Sequence, residues 1–265
     1  VNVDGLQMQR IDQFYPNIYY SGAVDDSIRY SSFKNTVSLS LREGFKDWVK
    51  FGLTGFLEYD LRNYTMRDLE DFTFKSHKES AVTLGGVLSK QQGENLLFNV
   101  HADLGVLGAN LGEFRAIGNV ETGFDIAGRR TSLSAEAYIK NLRPKYLQNN
   151  YQSKYFNWNN DFGDTRRVYL GGKLLIPFTN TVLSAGVENL QNYIYVDANR
   201  NIAQESDNIQ VLTARIEQNI SLGVFNWDNQ VVYQKSSNQT AIPLPELSVY
   251  SNMYLKTKIV NELTM

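Results

Sequence analysis

The stretch that decides the fold is residues 49–61, VKFGLTGFLEYDL. Its odd positions read Val49, Phe51, Leu53, Gly55, Leu57, Tyr59 and Leu61, while its even positions include Lys50, Thr54, Glu58 and Asp60. A period of two belongs to an extended strand, whose side chains alternate between faces. An α-helix would scatter the same apolar residues around its whole circumference. The segment is therefore one long strand with an apolar face and a charged face.

The same scheme recurs on both sides of it. Residues 114–126 place Phe114, Ala116, Gly118, Val120, Phe124 and Ile126 against Arg115, Asn119, Glu121 and Asp125, and residues 212–222 set Leu212, Ala214, Ile216, Ile220 and Leu222 opposite Arg215, Glu217 and Asn219. Alternation returns in 37–41, 82–88, 98–106, 133–139, 168–176, 183–187 and 247–255. Strands of globular proteins average about five to six residues, whereas about ten are needed for a tilted strand to cross a bilayer. Several of these reach that length.

Connections alternate too. Short ones are expected at 45–47, 91–94, 128–130, 178–180, 225–228 and 261–262, and longer polar ones at 62–80, 141–165, 191–208 and 236–246, with 108–112 as a tight exception. In an up-and-down sheet, alternate connections share a rim, so this order predicts one rim of short turns and one of long loops, as in outer-membrane barrels. Phe45, Trp48, Phe178, Phe225 and Trp227 flank the short turns, where rings with a polar edge suit a membrane–water interface.

Composition removes other classes. The 26 basic and 28 acidic residues, net charge -2, are scattered with no basic stripe, which argues against a nucleic-acid partner. Zero cysteines exclude disulfides, thiolate metal sites and cysteine nucleophiles, and two histidines leave little for histidine-based metal or acid–base sites. No run approaches the roughly 18 apolar residues of a spanning helix. The mean hydropathy is -0.36.

Alternation alone does not say which face is inside. A soluble barrel hides its apolar face in the lumen, whereas a membrane barrel turns it to lipid. Strand length, loop asymmetry and a count near eleven, too many for an apolar lumen filled by side chains, favour the polar face inside.

Two strings resemble a known family. Residues 35–64, NTVSLSLREGFKDWVKFGLTGFLEYDLRNY, and 244–260, LPELSVYSNMYLKTKIV, are similar to the "Putative porin" family of Bacteroidota outer-membrane proteins. The first holds a strand, the R-E-G-F turn and the next strand; the second resembles the family's entry from loop to strand. The resemblance implies a barrel in the outer membrane with a passive-diffusion role and no catalytic motif. It also implies that members extend before residue 1 and beyond residue 265, so that this chain is not expected to close a barrel alone.

Candidate chemistry has plainer readings. His101 and Asp103 lie two apart on the polar face, away from the lipid side where a lipase-like serine and histidine would have to sit. Residues 105–112, GVLGANLG, look like a phosphate loop, but a strand rather than a helix follows, so a hairpin turn is expected. Asp25 with Asp26, and Asp68, Glu70 and Asp71, lack calcium-loop spacing and read as solvated loop charge. Residues 141–165 carry Tyr146, Tyr151, Tyr155, Phe156 and Trp158 among Asn and Gln; such a loop could fold into a pore, stack on a carbohydrate, or form an interfacial girdle.

The sequence thus predicts an all-β protein: a single domain over 1–265 forming an antiparallel up-and-down transmembrane β-barrel, or a large part of one, with about 11–12 strands. The expected function is a water-filled outer-membrane channel for small hydrophilic solutes, with no catalytic residues, metal or cofactor. Pore-lining residues are expected to be Lys50, Glu58, His101, Asp103, Arg115, Asn119, Glu121, Glu136, Lys140, Arg167, Lys173, Arg215, Glu217, Lys256 and Lys258. Its surroundings would be outer-membrane lipid and lipopolysaccharide, and homo-oligomers are compatible with it. A structural or adhesive barrel without conductance and a soluble β-rich carbohydrate-binding protein stay open as alternatives.

Overall fold

The computed structural model describes residues 15, 17–93, 95–260 and 263–264, with side chains described as far as residue 257. The elements are β1 (Arg29–Leu41), β2 (Gly52–Arg67), β3 (Phe74–Lys90), β4 (Leu97–Gly108), β5 (Phe114–Ile126), β6 (Arg129–Leu142), a short helix α1 (Tyr146–Asn149), β7 (Asn150–Gln152), β8 (Asn157–Asn159) and β9 (Thr165–Ile176). They continue with β10 (Thr181–Gln191), β11 (Tyr193–Val196), β12 (Ile202–Glu205), β13 (Ile209–Leu222), β14 (Phe225–Ser236), β15 (Leu247–Leu255), β16 (Lys258–Val260) and β17 (Leu263–Thr264).

Eleven strands make one sheet in the order β1-β2-β3-β4-β5-β6-β9-β10-β13-β14-β15. Every pairing is antiparallel between sequence neighbours or across a loop insertion, which is the up-and-down topology expected. The sheet is an arc rather than a closed barrel: among the described residues β1 and β15 each pair on one side only. The pairs β7–β8 and β11–β12 are small hairpins inside the two longest loops.

The register settles which face is covered. Leu53, Leu57 and Leu84 share one face and are 54 %, 49 % and 54 % exposed, whereas Asp60 and Thr83 on the opposite face are each 4 % exposed. On a curved sheet, side chains on the inside converge and those on the outside splay apart. Here the polar set converges, the reverse of a soluble barrel with an apolar lumen. The small apolar cluster of Leu190, Ile209 and Ala241, with Tyr193, Tyr195, Val211 and Ile242 against it, sits under the loops at one rim and not between layers.

Several boundaries differ from the sequence expectation. Strands β2 and β3 run 16 and 17 residues and meet at a loop of only 68–73, because ladder hydrogen bonds continue to satisfy the backbone through the polar stretch 62–80. At the other rim, residues 42–51 form a wider turn that takes in Val49, Lys50 and Phe51. Phe225, Asn226, Trp227 and Asp228 are the first residues of β14, paired to β13, and the connection is Gly223 and Val224. The turn expected at 261–262 lies outside the described residues. Residues 105–112 do form a hairpin turn: the added Cβ of an alanine at Gly108, whose φ is +74°, would meet the Ser80 carbonyl oxygen at 1.9 Å. Between β5 and β6, Ala127 and Gly128 both have positive φ, the requirement of a two-residue hairpin turn that matches strand twist.

Candidate functional site

The candidate site is the polar face. Register alone carries Glu58, His101, Asp103, Arg115, Asn119, Glu121, Glu136, Lys140, Arg167, Lys173, Arg215 and Glu217 onto this one face. Two expected members fall elsewhere. Lys50 precedes β2, and Lys256 follows β15, where its backbone N–H donates to the Val224 carbonyl at 2.7 Å. Lys258 lies beyond the residues whose side chains are described.

Neighbouring strands bring opposite charges together. The Asp103 carboxylate, 8 % exposed, sits 2.7 Å from His101 Nε2 and accepts from Arg115 Nε at 3.0 Å, a pairing made by the direct β4–β5 opposition of residues 103 and 115. Two strands on, Arg167 Nε donates to Glu188 Oε1 at 2.6 Å, the Tyr138 hydroxyl donates to the same oxygen at 2.7 Å, and Lys140 Nζ lies 3.8 Å from the Tyr138 ring centre. Arg215 pairs with Glu217 at 2.6 Å and donates to Gln230. Such pairing keeps ionised groups hydrated or hydrogen-bonded on a crowded wall.

Residues outside the expected set join them. Asp60 accepts from Arg62 at 2.7 Å and from the Ser32 hydroxyl at 2.8 Å, while Arg62 also donates to Asn110 at 3.2 Å. Lys34 pairs with Glu58 at 2.9 Å. Asp60 and Arg62 carried a usable signal, the same two-residue spacing on one face that marked His101 and Asp103. Glu188 and Tyr138 carried none, because their role depends on which strands lie side by side. Aromatic rings also lie flat on this wall: a Cβ at Gly186 would meet the Tyr169 hydroxyl at 2.6 Å, and one at Gly85 would meet Phe56 Cζ at 2.2 Å.

Loop 143–164, between β6 and β9, reaches across to the far end of β2 and β3. Tyr146 of α1 stacks on His77 with ring centres 3.9 Å apart and packs on Tyr64 at 5.1 Å, and His77 and Tyr64 are opposed on the polar face. Burial, and secondarily Glu79, push the Tyr146 phenol above its ordinary value. Gln152 Oε1 accepts from the Leu69 backbone N–H at 3.1 Å, and Gln204 of the next loop donates to the Gly163 carbonyl at 2.7 Å. The acidic loop residues are internally paired: Arg67 meets Asp25 at 2.7 Å, and Lys75 meets Asp68 at 2.7 Å. So the loop rests Tyr146 on the loop end of the polar face of β2 and β3.

A long-stranded antiparallel arc with an apolar outside, a charged inside and long loops at one rim defines the class: part of an outer-membrane-type β-barrel. The chain belongs to the "Putative porin" family, whose sequence model matches residues 6–265. It is similar to the solved structure of "Copper transporter OprC", with a TM-score of 0.60 at 13% identity, covering 82% of this chain and 38% of that chain. At that identity the likeness concerns the fold alone, and this chain spans well under half of that one. No curated protein matches the chain.

Proposed function

We propose that the chain forms the wall of a water-filled channel in the bacterial outer membrane, through which small hydrophilic solutes diffuse passively. The observation that supports this most directly is the convergence of mixed, mutually paired charges on the covered face while leucines and valines point outward. In this reading the lipid-facing side chains meet outer-membrane lipid and lipopolysaccharide, the paired charges keep the passage wet, and loop 143–164 narrows it. Movement needs no energy coupling, catalytic group, metal or cofactor, and no nucleic-acid partner. The eleven strands belong to one barrel domain whose β1 and β15 edges are paired by other strands, since unpaired N–H and C=O groups in lipid cost several kcal/mol each. A Bacteroidota source fits the resemblance of residues 35–64 and 244–260.

The contact of loop 143–164 with the polar face favours one second reading, a structural or adhesive barrel with an occluded lumen. Planar-bilayer recordings of the detergent-purified full-length protein separate the two. Stepwise ohmic conductance that rises when residues 146–160 are deleted is expected. A folded, heat-modifiable protein with no conductance in either form would overturn the channel.

A further inference from the structure

Where loop 143–164 meets the ends of β2 and β3, the two line an open-sided cavity of about 240 Å³. We propose that this cavity binds a neutral sugar of mono- or disaccharide size. The inference rests on the channel reading, and it deepens that reading by naming the solute class.

Three features converge on that ligand. First, the wall is rich in amides. Asn150 and Asn159 oppose each other in the β7–β8 hairpin, and their side chains make no hydrogen bond to any described residue. Gln152 has its oxygen held by the Leu69 N–H, which fixes the amide plane and leaves its two N–H donors for a ligand. An amide offers both donor and acceptor, as each sugar hydroxyl does. Second, Tyr151 and Trp158 stack at 4.5 Å and both line the cavity. The indole N–H already donates to the Leu147 carbonyl at 3.1 Å, so Trp158 contributes ring surface, which suits the C–H face of a pyranose. Third, the ionisable side chains in the wall are already engaged: Lys75 bridges Asp68 at 2.7 Å and Asp71 at 3.2 Å, and His77 Nε2 lies 3.3 Å from Glu79, so no unpaired charge faces the cavity to attract an ionic solute. The volume is below the roughly 300–1,000 Å³ of drug-sized sites, which limits the occupant to one or two rings.

The position gives the site a purpose. It sits at the loop end of the polar face, so a sugar bound there would be held at one mouth of the passage.

The test uses the detergent-purified full-length protein with Trp48→Phe and Trp227→Phe, so that among the residues of this chain Trp158 alone reports by fluorescence. Maltose and glucose are titrated as probes, and glutamate and lysine as charged comparisons. A saturable change with maltose or glucose is expected, weakened about fivefold by Asn150→Ala with Asn159→Ala, the equivalent of about 1 kcal/mol. Absence of saturation with both sugars, equal affinity in the double variant, or tighter binding of glutamate or lysine would overturn the assignment. Heat-modifiable gel mobility reports folding, and should the double variant lack it, Asn159→Ala carries the comparison. Bilayer recordings on the same preparation keep the two readings apart: sugar binding without conductance removes the channel and keeps the site, while conductance without sugar binding removes the site and keeps the channel.

Discussion

At Gly186 the smallest possible addition collides with a neighbour. Tyr169 lies flat over both Gly171 and Gly186, so that a Cβ at either would meet its hydroxyl, at 2.1 and 2.6 Å. The two glycines oppose each other across β9 and β10, which makes a shallow seat for the ring on the polar wall. Gly186→Ala is expected to destabilise the folded protein by about 1–2 kcal/mol, because the ring must leave its seat. Tyr169→Ala removes the obstacle, so the double variant should cost clearly less than the sum of the singles in urea unfolding from detergent micelles. Strict additivity would show that ring and glycine do not compete for this space. The glycines themselves were visible in the sequence, but the ring that claims their space was not, since a strand pattern names a face and not the lean of a side chain along it.

For single elements, the two faces of a strand should respond oppositely to the same charge. Leu57→Arg places a cation on the apolar face of β2, well inside the strand, and is expected to cost about 2–4 kcal/mol near mid-bilayer, whereas Glu121→Arg, on the polar face of β5, should insert normally. Yields of heat-modifiable protein in outer-membrane fractions give the comparison, and equal losses from both would reverse the assignment of faces. The tip between β2 and β3 has a separate dependence on pH. The Asp71 carboxylate accepts from the Thr73 backbone N–H at 3.0 Å and the Thr73 hydroxyl at 2.8 Å, and Lys75 lies 3.2 Å away; together these hold its pKa at about 2, against an ordinary 3.8. A folded pKa below the unfolded one stabilises above the unfolded value and loses that contribution as pH falls through the folded one. Hydrogen-exchange protection of residues 68–74, corrected for intrinsic rate, should therefore stay level from pH 7 to 4 and decline between 3.8 and 2. Asp68, held below its ordinary value by Lys75 and the Glu70 N–H, contributes in the same direction, so Asp71→Asn should weaken the decline and Asp71→Asn with Asp68→Asn should abolish it; an unchanged decline in Asp71→Asn would remove Asp71 from the pH dependence.

Across the whole molecule, the up-and-down order puts loops 68–73, 143–164 and 192–208 at one rim and turn 42–51 at the other. With no native cysteine in the chain, single cysteines report side directly. Cysteines at Glu70 and Ser206, both exposed, are expected to react with an impermeant thiol reagent on intact cells, and one at exposed Lys46 to be protected until the membrane is opened. Labelling of Lys46→Cys alone on intact cells would invert the topology. The sheet order also explains why the charge pairs span strands: Asp103 and Arg115 are 12 residues apart, and Arg167 and Glu188 are 21 apart, yet each pair closes through adjacent strands.

Period-two alternation was enough by itself to determine an all-β chain, the division of each strand into an apolar and a polar side, and most of the polar-face set from Glu58 to Glu217, while strand length and the alternation of short and long connections pointed to a membrane barrel. That information is local, since each residue's side follows from its parity within a strand and needs no knowledge of the neighbours. Strand ends were less legible: nothing in the polar composition of 62–80 reveals that backbone pairing continues through it, and Val49 and Lys50 kept the alternation of β2 while lying in a turn. Tertiary structure alone decided the rest. It selected the cross-strand charge partners such as Asp103 with Arg115 and Arg167 with Glu188, laid Tyr169 across two glycines, and carried Tyr146 from the loop between β6 and β9 to the rings of Tyr64 and His77. Those contacts depend on the register and curvature of a sheet assembled from distant segments, and no spacing along a single strand encodes them.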